Sequence, residues 1–186
     1  MSPILVRPVR EQLEHDRIIR LLQAKWRRKY EVGINPGAEQ NSPVGSGSSA
    51  MYPDLVLMST DRGHRLQGVI EVETGESVNH LEALAQWAHF AKLRAPFHLY
   101  VPAGMVDVAR RLCEENQIHV NEIWSFHTVG DQIRFTLVHR SREAAPSAVR
   151  ARAPQAPPPR RKPPARAAKA APRKGAKKSA ARQKRK

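Results

Sequence analysis

The chain has 186 residues, 32 of them Lys or Arg against 17 Asp or Glu, for a formal net charge of +15. The excess is local: 15 of the basic residues follow Glu143 with no acid among them, leaving 17 basic against 17 acidic residues in 1–143. A single cysteine, Cys113, excludes an internal disulfide framework; the N-terminal apolar run is too short for a signal peptide, and no stretch reaches the roughly 18 apolar residues of a membrane span.

Taken in chain order, residues 9–30 hold strong helix formers and no Gly or Pro, with Leu13, Ile18, Leu21, Leu22 and Trp26 roughly tracing an apolar stripe. The basic cluster that ends this helix (Lys25, Arg27, Arg28, Lys29) reads as a solvated face. Residues 33–50 are rich in Gly, Pro, Ser and Asn and read as a long mobile loop. The loop contains GSGSSA, a loose match to a dinucleotide-binding pattern. No strand precedes it and Tyr52-Pro53 follows where a helix should begin, so no nucleotide-cofactor site is assigned to it.

Two strand-like runs, 54–58 and 66–74, flank the turn-rich STDRGHR and predict an antiparallel hairpin. A helix over 78–93 is stopped by Pro96, and 97–101 is a short strand. A second such helix spans 104–117 and places Cys113 as a packed thiol. Strands at 119–129 and 132–139 surround a Gly130-Asp131 turn. The order α-β-β-α-β-α-β-β argues for an α/β domain over 1–142, with a mixed central sheet flanked by helices.

The hairpin carries the chemistry. Glu71 and Glu73 lie two apart on an apolar strand, so both carboxylates point to one face, where like charges need neutralisation. Asp54 opens the partner strand, 17 residues before Glu71. The start of the first strand lies near the end of the second, so three carboxylates converge. Such a group suits a hard divalent cation, Mg²⁺ or Mn²⁺. The other reading of the two glutamates is an ion network with Arg62, Arg65 or Lys92. Trp87, Phe90 and Trp124 read as core, and the eight histidines show no i, i+4 pair on a helix, so neither a zinc site nor histidine catalysis is assigned.

YPD, a hydrophobic strand and then IEVET together resemble the PD-(D/E)xK core of the restriction-endonuclease-like superfamily. The resemblance implies a metal-dependent nuclease fold with Asp54 and Glu71 as ligands and the Val72 carbonyl nearby. Glu73 stands where the superfamily usually has a water-activating lysine, giving an E-x-E variant. Gln86, four residues before Phe90, is similar to the Q-x-x-x-Y element of RecB-like nucleases. Lys92 is the candidate for a lysine relocated to the following helix, and Glu14, then Glu11, for an acid from the N-terminal helix. Dimers are frequent in the superfamily, so a homodimer is compatible with the resemblance.

Residues 143–186 are almost all Ala, Pro, Lys and Arg without an aromatic residue, and are expected to be disordered. They resemble the tails of linker histones and bacterial histone-like proteins, implying a nucleic-acid partner, DNA ahead of RNA. The expectation is a cytoplasmic protein, nucleoid-associated if bacterial, that either hydrolyses phosphodiesters with a metal or is an inactive nuclease fold whose basic tail supplies the affinity for DNA or RNA.

Overall fold

The computed structural model describes residues 8–141. The basic segment 143–186, with the disorder and nucleic-acid binding expected of it, lies outside the described residues. Six strands form one mixed open sheet in sequence order: β1 (Glu31–Ile34), β2 (Leu55–Met58), β3 (Leu66–Val72), β4 (Phe97–Pro102), β5 (Glu122–Val129) and β6 (Gln132–Arg140). β2 runs antiparallel to its neighbours β1 and β3, β3, β4 and β5 run parallel, and β6 returns antiparallel to β5. The turn into β6 uses Gly130 at φ +59°, a conformation that favours glycine.

Helix α1 (Val9–Trp26) covers one face of the sheet. Its Ile18, Ile19 and Leu22 pack on Leu55, Leu57, Ile70, Val72, Tyr100 and Phe126. The opposite face is covered by a helical stretch and by α4 (Val106–Glu115). The stretch comprises α2 (His80–Glu82), a π-helical turn (Ala83–Trp87) and α3 (Ala88–Phe90). There Ala83, Trp87, Phe90, Ala109, Leu112 and Cys113 meet Val56, Val69, Leu99, Val101 and Ile123. Val69 through Val72 of β3 are therefore buried on both faces, which explains the β-branched Val69, Ile70 and Val72 and leaves Glu71 as a buried carboxylate among them. No helix among the described residues is long and apolar enough to cross a membrane.

The structure corrects the element reading in several places. Glu31–Ile34 is a strand, so the order is α-β-β-β-α-β-α-β-β. Its Gly33 disguised it, yet the glycine is required there: a Cβ would collide with the Oγ and Cβ of Ser42. The rest of 33–50 is tied down by bonds from Asn35 Nδ2 to the carbonyls of Ser42 and Pro53, and by a bridge between Val44 and Met51. The helix expected over 78–93 is shorter and contains the π turn.

The apolar stripe of α1 is also phased differently. Leu13 and Leu21 are exposed, at 67% and 40%, while His15 and Ile19 are fully buried. The buried set His15, Ile18, Ile19 and Leu22 follows the 3-and-4 spacing of a single helical face. At the far end of α1 the ammonium of Lys25 is not simply solvated, since its Nζ lies 4.4 Å from the ring centroid of Trp124.

Candidate functional site

The three acids of the hairpin lie where the backbone places them. β2 and β3 pair with Leu55 opposite Ile70, so one step farther along the ladder Asp54 stands opposite Glu71. The main-chain N–H of Asp54 donates to Glu71 Oε2 at 3.1 Å, and Asp54 Oδ2 accepts from the N–H of Val72 at 2.8 Å. These side chain to backbone bonds lock the start of β2 to the end of β3 where the regular ladder stops. They lie at the carboxyl end of β3, whose parallel neighbour is β4, and such strand ends are where open α/β sheets present ligand crevices. Asp54, Glu71 and Glu73 are all buried.

Asp54 and Glu71 meet through the backbone at the end of the hairpin, whereas Glu73 is engaged elsewhere. Glu73 is completely buried, and its Oε1 accepts a 2.7 Å hydrogen bond from Trp87 Nε1 in the π turn. Its own N–H donates to the Tyr100 carbonyl, which extends the β3–β4 pairing by one residue. Of the cations proposed for an ion network, Arg65 is engaged with Asp61 at 2.8 Å in the β2–β3 turn.

His15 is the site residue that the sequence did not reveal. It is 1% exposed and reaches from α1 to Asp54, with Nε2 3.0 Å from Oδ2. Its other nitrogen, Nδ1, lies 3.3 Å from Asp16 Oδ1, a carboxylate that also accepts from Gln12 Nε2 and the Gly37 N–H. The imidazole therefore joins α1 to the hairpin through a line of polar contacts. The only signal for it was helical phase, since His15 lies three and four residues before the buried Ile18 and Ile19.

Four residues before His15, Glu11 lies on the same side of α1 and accepts from Thr74 Oγ1 at 2.6 Å. Glu11, rather than the exposed Glu14, is thus the acid that the N-terminal helix brings to the end of β3. The turn after β3 is held further by a bond from the Thr74 N–H to Ser77 Oγ at 2.8 Å.

The remaining candidates lie on the helical layer. Gln86 is half-buried in the π turn, and its Oε1 has no hydrogen-bond partner among the described residues. Lys92 is exposed beyond α3 and lines a cleft with Ser48, Ser49, Met51 and His89; none of the three acids lines that cleft. Cys113 is packed in α4 as expected, and burial pushes its thiol up to about 12.

The donor set can be tested against a metal. Asp54 and Glu71 offer hard oxygen donors of the kind Mg²⁺ and Mn²⁺ prefer, on rigid strands. No group of three or more His, Cys, Asp or Glu side chains poised to hold an ion occurs among the described residues. An ion here would have only these two carboxylates from the protein and would need water or substrate oxygens at its other positions, as Mg²⁺ commonly does. No protein-family model, curated protein or solved structure matches this chain.

Proposed function

We propose that residues 8–141 are a nuclease-like domain of the PD-(D/E)xK type that hydrolyses phosphodiester bonds with Mg²⁺ or Mn²⁺. The observation that carries this reading is the junction of Asp54 and Glu71 at the end of an antiparallel hairpin whose second strand pairs in parallel with β4. That is the placement implied by the resemblance of Pro53-Asp54 and Glu71-Val72-Glu73 to the superfamily core. Asp54 and Glu71 would hold the ion. When bound, such an ion stabilises charge on a phosphoryl group and lowers the pKa of a water. His15 and the Val72 N–H orient the Asp54 carboxylate, and the Trp87 indole fixes Glu73. The basic segment 143–186 would keep the substrate near by counterion release, and contact with 8 to 10 phosphates gives a log K against log salt slope of about −7 to −9.

A second reading is favoured by Glu73 itself. The residue at the usual lysine position is an acid with no solvent exposure, engaged with Trp87, and Lys92 lines a different cleft. On that reading the domain is an inactive nuclease fold and the basic segment supplies the affinity for nucleic acid, DNA ahead of RNA. The two readings part on one assay. Labelled single-stranded, duplex and branched DNA and RNA are incubated with the full chain and Mn²⁺ or Mg²⁺, beside Asp54→Asn and Glu71→Gln. Metal-dependent cleavage lost in both variants supports the first reading. Retention of the nucleic acid without cleavage of any substrate supports the second.

A further inference from the structure

We propose that the cleft between Ser48–Met51 and His89–Leu93 is a subsite for one phosphodiester of a nucleic-acid strand, with Lys92 meeting its charge. The open cleft has a volume of about 450 Å³, room for a nucleotide unit rather than a bare ion alone. Its walls are Ser48, Ser49, Ala50, Met51, His89, Lys92 and Leu93. No carboxylate is among them, in a domain whose acids and bases are otherwise balanced.

The basic groups in this wall are uncommitted. Among the described residues, neither the Lys92 ammonium nor the His89 ring has a hydrogen-bond or ion-pair partner. The Lys92 N–H donates to the His89 carbonyl, and this turn holds the two residues close together at the end of α3. Across the cleft, Ser49 Oγ donates to the Ser46 carbonyl, which fixes that wall, and Ser48 is exposed. Met51 and Leu93 add partly buried apolar surface, suited to a sugar or base face beside the phosphate.

The cleft's position ties it to the acids. Met51 precedes Asp54 by three residues, so their Cα atoms can be no more than about 11 Å apart. That is the reach of one or two nucleotides from a phosphate at Asp54 and Glu71. The inference deepens the nuclease reading and rests on it for its choice of nucleic acid over other phosphate esters. Lys92 would then be a positioning residue for the strand rather than a group at the reacting phosphorus.

The test uses the full chain with ¹³C-methyl methionine. The chain has four methionines, so Met51 reports on the cleft while Met58 and Met105 serve as internal controls. The probes are the thymidine dinucleotide TpT, thymidine and inorganic phosphate, each too small to bridge the cleft and a distant segment. The expected result is a saturable Met51 shift with TpT, absent with thymidine and weaker with inorganic phosphate. Lys92→Ala should reduce the affinity about tenfold, as loss of one charge-assisted bond predicts, with Met58 and Met105 unmoved.

An unmoved Met51 signal, or a TpT affinity unchanged in Lys92→Ala, would overturn the subsite. Equal affinity for inorganic phosphate and TpT would overturn the assignment to a nucleic-acid strand. Mn²⁺ binding measured on the same samples separates the two proposals. A Met51 response without metal binding supports the cleft and sinks the nuclease site, and metal binding without a Met51 response does the reverse.

Discussion

Replacing Trp87 with phenylalanine would show what holds Glu73 in the interior. The indole N–H is 2.7 Å from Glu73 Oε1, and both side chains are fully buried. A hydrogen bond to a carboxylate nets about 1.5–3 kcal/mol, and the smaller phenyl ring leaves a void costing about 1–2 kcal/mol more. Trp87→Phe should therefore destabilise the domain by about 3–4 kcal/mol. In a Glu73→Met background the same change should cost only the packing part, because no buried acceptor is left behind. The difference is a coupling energy of about 2 kcal/mol, read from urea unfolding of the four proteins with the slope m held constant. Coupling below about 0.5 kcal/mol would refute the reasoning. It would mean that the indole–carboxylate bond does not fix Glu73, and that this acid is available for other chemistry.

Other consequences follow from the same geometry. Placing a lysine at this position with Glu73→Lys would set an ammonium against an indole donor in a fully buried site, and should cost more than about 3 kcal/mol in thermal unfolding. A Glu73→Lys protein that melts like the original would contradict this. Asp54→Ala leaves the Val72 N–H and His15 without their acceptor and should cost about 2–4 kcal/mol, whereas Asp54→Asn keeps an acceptor oxygen and should cost about 1 kcal/mol. Equal losses in the two variants would show that these bonds carry no stability.

Burial pushes the Cys113 thiol up to about 12, so at pH 8 its thiolate fraction should be about a thousandfold below that of a free thiol, and alkylation should require unfolding. Because the folded value is raised, the protonated thiol's contribution to stability is complete below about pH 9 and is lost as pH rises towards 12. Rapid alkylation of native protein at pH 8 would contradict that burial.

How much of this was legible in the sequence depended on whether the signal was local. The β2–β3 hairpin announced itself through β-branched runs and a turn-rich loop, and its short loop was enough to bring Asp54 opposite Glu71. β1 was hidden because Gly33, which the approach of Ser42 requires, made a strand look like the start of a loop. The face of α1 was misread because Leu13 and Leu21 are more hydrophobic than His15, although only His15 is in phase with Ile18, Ile19 and Leu22. A histidine within Glu14-His15-Asp16-Arg17 looks solvated until its neighbours are known to be buried. The Glu73–Trp87 bond spans 14 residues and depends on a π turn, which has no signature in residue pattern.

The central claim is that Asp54 and Glu71 together hold a divalent cation. Calorimetric titration of Mn²⁺ into the full chain tests it most directly, since residues 144–186 contain no acidic side chain to offer a competing site. The account predicts one saturable site, abolished by Asp54→Asn and by Glu71→Gln while both variants remain folded. Absence of binding, or binding that survives both substitutions, would contradict it and leave the buried acids a structural role alone.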